Sequence, residues 1–261
     1  MDFAFNDVQL ELKSQAREWL GQRYPLDRDW ERPQDDRWAE LAELGWLDVA
    51  EADLGFVEEA LLLEEMAYVL YPGPYLAHVA GNIEVNGLAL QGEGEAVETL
   101  DSTRPLHRNS GTPETARSRA AMACEAVGVA QRALDLGIGH AKTREQFGKP
   151  IGVYQAVSHA LADTYADVEL ARSLAYWAAW SVAEDDDQAP IAAAAAKAFA
   201  TEAAVKACER SIQVHGGIGF TWEHSLHRFY KRALWLEGFG SRPAKLRAEV
   251  ADALLGVAVT A

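Results

Sequence analysis

Two short clusters carry residue types suited to holding an anionic ligand. In Thr143-Arg144-Glu145-Gln146-Phe147-Gly148-Lys149-Pro150, the residues Arg144 and Lys149, with Lys142 just before, form a positive island. The chain as a whole has a formal charge of −16, from 40 acids against 24 bases. A guanidinium presents a planar fork of donors that matches a pyrophosphate, and Phe147 offers a face on which an adenine could stack. The same residues also suit a helix end, where cations complement the macrodipole beside a core phenylalanine. In Gln213-Val214-His215-Gly216-Gly217-Ile218-Gly219-Phe220, paired glycines permit positive φ and let a ligand approach the backbone, while Gln213 supplies a donor and an acceptor. A helix cap and turn account for this cluster too, with His215 as a cap or a satisfied buried imidazole. No strand precedes the glycines, so this is not the strand–glycine–helix fingerprint of a dinucleotide fold.

The elements that position these clusters read as helices. The opening stretch MDFAFNDVQLELK is acidic and amphipathic, without the pattern of a secretory signal, and is expected to begin the fold. Phe5, Val8, Leu10, Leu12, Ala16 and Leu20 recur at near-helical spacing, with Asn6 as cap and Pro25 as stop. Further helices are expected over 36–47, 56–70 and 75–85, the third halted by Tyr71-Pro72-Gly73-Pro74. Residues 86–114 change to glycines and acids with no sustained period, the pattern of a linker or a small extended remnant. Helical periodicity then returns over about 116–148, 152–183, 190–215, 222–238 and 243–255. Pro190 suits a first helical turn, and alanine dominates the segment it opens. The run Glu184-Asp185-Asp186-Asp187 reads as a solvated loop. Long amphipathic helices with short connections predict an all-α chain: a helical layer over 1–80, a linker over 81–114, and an antiparallel bundle over 115–261.

Composition excludes several classes. With 49% hydrophobic residues the chain can bury a real core. Its acidic surface repels phosphate backbones and anionic lipid, so neither nucleic acid nor a membrane surface is an expected partner. No apolar run approaches the ~18–20 residues of a membrane span. Cys124 and Cys208, far apart in helix-like sequence, fit free thiols in a reducing, cytoplasmic setting. No metal site is expected.

Taken together, TREQFGKPIGVYQAVSHALADTYADVELAR and, further on, QVHGGIGFTWEHSLHRFYKRA resemble the C-terminal domain of the acyl-CoA dehydrogenases, and RWAELAELGWLDVAE with ALLLEEMAYVLYPGPYLA resembles their N-terminal helical domain. The resemblance implies FAD, its adenosine and pyrophosphate held across a subunit interface by Arg144 with Gln146 and Phe147. Gln213, Gly216 and Gly217 would complete the pocket from an adjoining subunit, with Ile151 and Tyr154 adding contacts or serving only as helix packing.

Two departures from the family pattern stand out. The β domain that covers the flavin and thioester does not fit between Gly81 and Glu114, where ETLDSTRPLHR resembles only its closing strand. The chemistry also needs a carboxylate opposite the flavin to take the α proton. The two positions where the family carries it fall at Gly240 and near Ser118, neither acidic. Glu237 and Glu125 lie close in sequence, yet each is displaced by several residues, and helical facing turns ~100° per residue.

The resemblance therefore implies a FAD-binding subunit for α,β-dehydrogenation of an acyl-CoA, with a related partner chain supplying base and acyl pocket, as two copies of each chain or as a homo-oligomer. The segment Thr221 to His224 is similar to bacterial members that shorten steroid side chains. The alternatives are a non-catalytic assembly subunit and another flavin reaction on the same scaffold.

Overall fold

The computed structural model describes residues 4–32, 34–52 and 54–256. The first three residues of the opening stretch, and 257–261 of the last predicted segment, lie outside them.

α1 (Asp7–Arg23) starts from a capping box in which Asn6 and Gln9 exchange side-chain and backbone hydrogen bonds, so two otherwise orphan N–H groups are satisfied. α2 (Trp38–Glu43) is shorter than the predicted 36–47, ending ahead of Gly45 at φ +72. α3 (Phe56–Tyr68) is buried almost all round, as its Leu61-Leu62-Leu63 run requires. α4 (Tyr75–Ala80) stops before the predicted 85, because Gly81 takes φ +82, which no helix continues through.

The expected linker is more ordered than its composition suggested. β1 (Glu84–Val85), β2 (Leu88–Ala89), β3 (Ala96–Val97) and β4 (Leu106–Arg108) form an antiparallel sheet in the order β1-β2-β4-β3. Strands of two or three residues are too short to show alternation, which is why no period was visible.

The remainder is the bundle: α5 (Ala116–Thr143), α6 (Gln155–Ala183), α7 (Ala189–His215), α8 (Leu226–Gly238) and α9 (Pro243–Leu255). Between α5 and α6 lie a hairpin, β5 (Glu145–Gln146) and β6 (Lys149–Pro150), and a 3-10 turn at Ile151–Val153. α7 is central, packing on α5, α6, α8 and α9. α5 and α7 run the same way and α6 runs opposite. Helix α3 lies on α5 at Gly128, where a Cβ would overlap the backbone oxygen of Glu64, so the helices approach more closely than any side chain permits. No described helix is long and apolar enough to cross a membrane.

A buried ionic network joins the small sheet to the bundle. The guanidinium of Arg232, 1% exposed, pairs with Asp101, donates to Glu125 Oε1 at 2.6 Å and to Thr103 Oγ1 at 2.7 Å. Arg104 adds a two-pronged contact to Glu125 at 2.6 and 3.0 Å. Burial pushes the Asp101 carboxyl up, but Arg232 and Thr103 outweigh it and hold the group below the usual carboxylate range.

Candidate functional site

The helical reading of 116–148 gives way to a hairpin at its end. α5 stops at Thr143, and Phe147 (φ +53) and Gly148 (φ +77) take the two central positions of a tight turn between β5 and β6. Two successive positive φ angles are what a two-residue hairpin of this twist needs, and Gly148 meets the second without strain. The consequence is that Phe147 is thrown outward, 89% exposed, rather than into the core. Tyr154 braces the hairpin: its hydroxyl donates to Gln146 O at 3.2 Å, and its ring meets Phe147 edge-on at 6.4 Å. Ile151 closes the loop through its N–H to Arg144 O at 2.8 Å and packs partly against the core.

At the end of α7, Gln213, Gly216 and Gly217 are all exposed. Gly216 sits at φ +66, and a Cβ on Gly216 or Gly217 would meet nothing within 4 Å. The glycines therefore leave backbone open to an approaching group. Among the described residues, the Arg144 and Gln213 side chains have no hydrogen-bond partner.

What joins the two motifs is a line of imidazoles missed by the sequence reading. His140, in the last turn of α5, stacks on His215, the last residue of α7, with centroids 4.3 Å apart. His215 in turn lies 4.5 Å from His224, just before α8, and His215 Nδ1 is 2.7 Å from Ser211 O. Within one chain both motifs lie at the same end of the bundle, because α5 and α7 finish together. Burial, then neighbouring imidazoles, push His224 down to about 4, and His140 is lowered by burial, His215 and Arg144. Both shifts favour the neutral form of His140 and His224 beside the cationic hairpin. A groove of about 370 Å³ runs alongside, lined by Ile138, Ala141, Lys142, Val153 and Leu161 among others.

The positions examined for a base are arranged differently. Ser118 is buried in the capping box of α5, its hydroxyl accepting from Thr115 N at 2.8 Å and donating to Thr115 O at 2.9 Å. Glu125 is 2% exposed and held by both Arg104 and Arg232. Glu237 is half-buried on α8, its carboxyl raised by burial and by Glu202 and Glu209. Gly240 has φ +76, and a Cβ there would overlap Glu114 Oε1 and crowd Lys197 Nζ. Lys197, 1% exposed, pairs with Glu114 and donates to Phe239 O at 2.7 Å. Glu114 also takes Arg119 at 3.0 Å and the Ser241 N–H at 3.3 Å. Burial raises the Glu114 carboxyl, but Lys197, Ser241 and Arg119 more than offset it. A lone lysine in the alanine run around it was the available signal, since a buried ammonium must find a partner.

Comparison with known proteins shows the family. The acyl-CoA dehydrogenase C-terminal domain matches residues 113–254. The acyl-CoA dehydrogenase IpdE2 of Mycobacterium tuberculosis is 40% identical over 133 residues, covering 51% of this chain and 39% of the relative. The chain thus spans about four-tenths of that relative's length. Among solved structures, a chain of the ChsE4-ChsE5 complex from Mycobacterium tuberculosis superimposes with a TM-score of 0.81 at 22% identity, covering 98% of this chain and 100% of that one. A chain of the Tcur3481-Tcur3483 steroid ACAD gives 0.79 at 21%, covering 97% and 99%. At these identities the structural likeness speaks for the fold.

Proposed function

From the premise that the chain belongs to the acyl-CoA dehydrogenase family, we propose that it is the FAD-holding, base-deficient subunit of a heteromeric acyl-CoA dehydrogenase. The observation that carries this reading is the shared bundle end, where Arg144, Gln146, Phe147, Gln213, Gly216 and Gly217 stand exposed and, among the described residues, the Arg144 and Gln213 side chains have no hydrogen-bond partner. A guanidinium, an amide and a bare turn fit the diphosphate and adenosine of a dinucleotide. Phe147, Phe220 and Trp222, each at least 71% exposed, supply aromatic faces that only a ligand or a second chain would cover. Ile151 and Tyr154 brace the hairpin, and no metal takes part.

When bound, FAD supplies the hydride acceptor for oxidation of an acyl thioester between its α and β carbons. This chain's own residues bind and orient the far half of the cofactor. The α proton is taken by a carboxylate of a related partner subunit, because Gly240 is closed by the Glu114–Lys197 pair and Glu125 is committed to two guanidiniums. Neither Glu237 nor Glu125 serves as base. The assembly holds two copies of each chain, works in the cytoplasm, and takes a steroid side chain or related lipid acyl-CoA.

The test is reconstitution. The chain is purified alone and with a candidate partner of the same family, loaded with FAD, and assayed for flavin absorbance and acyl-CoA oxidation. Flavin retained by the pair, with oxidation only when the partner's carboxylate is intact, is the expected outcome. Oxidation at ordinary rates by this chain alone overturns the borrowed base. Absence of flavin from both preparations overturns the cofactor reading and favours an assembly subunit, the alternative to which the closed Gly240 also points.

A further inference from the structure

A cleft of about 440 Å³ opens where the segment after α1 meets the first turn of α8 and the loop before β4. Its walls include Arg28, Trp30, Glu31, Arg32, Ser102 and Arg228. On so acidic a chain, three arginines against one glutamate in one cleft is a local inversion of charge. The Trp30 ring lies between two guanidiniums, Arg28 at 3.5 Å and Arg228 at 5.0 Å from its centroid, so both are held at fixed positions.

The cations are poorly compensated. Among the described residues, Arg28 donates only to backbone carbonyls, to Tyr24 and Pro25 on one side and Val69 and Leu70 on the other, and meets no carboxylate. Burial, then the charges of Arg228, Arg232 and Arg132, bring it down to about 10. Arg228 is 9% exposed, and its one anionic partner among the described residues is Glu31 at 2.9 Å, whose side chain is 85% exposed on a loop. The Nε atoms of Arg28 and Arg228 are buried without a hydrogen-bond partner. A buried guanidinium donor left unused is costly, and an anion that reached it would recover that cost. Arg32, at the rim and 82% exposed, pairs with Asp29 at 2.9 Å.

We propose that this cleft is a binding site for a small phosphate-type dianion, gripped by Arg228 with the Ser102 hydroxyl at the mouth, and that Glu31 occupies its place when it is absent. Arg28 and Trp30 set the position of Arg228 and add field. A dianion outcompetes the Glu31 carboxylate because it brings more charge and is not tied to a loop. The cleft shares no lining residue with the Arg144 hairpin and does not depend on the reading of that surface.

The experiment is thermal unfolding of the full chain titrated with inorganic phosphate, against sodium chloride at matched ionic strength. Phosphate is expected to raise Tm by roughly a few degrees in a saturable way, as a ligand of the folded state does, with no such rise in chloride. Arg228→Gln should weaken the apparent affinity about tenfold or more, as loss of a charge-assisted contact would. Glu31→Gln, a change at an exposed residue, should strengthen it several-fold, a gain that a merely structural role for Glu31 would not give. Arg144→Ala should leave the response unchanged. Equal shifts in phosphate and chloride, no tightening in Glu31→Gln, or a response lost in Arg144→Ala but kept in Arg228→Gln would each overturn the proposal.

Discussion

The rings of His140 and His215 stack 4.3 Å apart at 28°, joining the last turn of α5 to the last residue of α7. His224 continues the line at 4.5 Å, and the ring of His227 is reached through its Nδ1, 2.8 Å from His224 O. The charged groups facing this line are Arg144, Arg228 and Lys231, all cationic.

That arrangement predicts acid sensitivity. His140, His224 and His227 all have folded-state values below the free imidazole, His224 at about 4, so folding expels protons. Their contribution is at full strength above ~6.5, the free value, and is lost as pH falls from there toward 4. One unit is worth ~1.4 kcal/mol, and solvent screening at this part-exposed ring reduces it, giving a loss on the order of 2 kcal/mol for His224, to which His140 and His227 add in the same direction. Urea unfolding at pH 7.5 and 4.5 measures it. A His224→Gln variant with the same pH slope as the parent would refute the assignment.

Replacing Arg232 with leucine should destabilise the fold by ~3–5 kcal/mol, since Asp101 and Glu125 would keep buried charge with one fewer partner. The urea midpoint reads this directly. A loss below ~1 kcal/mol would mean that water reaches the network.

Installing a carboxylate by Gly240→Glu should not create a base. The residue would have to hold φ +76 and displace Glu114, costing about 2 kcal/mol or more in strain and overlap. The expected result is a lower Tm without gain of acyl-CoA oxidation. A stable, newly active single-chain enzyme would contradict it.

Arg144→Ala and Gln213→Ala change exposed side chains without internal partners, so unfolding should shift by no more than ~0.5 kcal/mol. Flavin retention, followed by absorbance after gel filtration, should fall about tenfold for the arginine variant and less for the glutamine. Unchanged retention in both would place the cofactor elsewhere.

Gly128→Ala would drive a methyl into the Glu64 carbonyl and part α3 from α5. About 1–3 kcal/mol should be lost, the range for overpacking, visible as a reduced urea midpoint with unchanged helical circular dichroism.

The bundle was legible because its signals are long. Pro243 to Leu255 appears as predicted, and Pro190 does open α7. What escaped had short or non-local causes. The 2-residue strands β1, β2 and β3 carry no period, and α2 ends early ahead of the positive φ of Gly45. Phe147 was compatible with a core or an exposed position until the turn fixed its φ. The site divides the same way: Arg144 and the Gln213 motif stand out locally, whereas the Glu114–Lys197 pair and the imidazole line join residues far apart in sequence.

The alanines of α7 have a consequence of their own. Freezing an alanine surrenders no rotamer freedom, so Ala192, Ala193, Ala196, Ala200, Ala203, Ala204 and Ala207, all buried, seat the helix among four neighbours at low entropic cost. The same economy leaves no slack. A larger side chain at any of these positions cannot fold away to one side, and must wedge apart helices that were brought into register by having nothing between them.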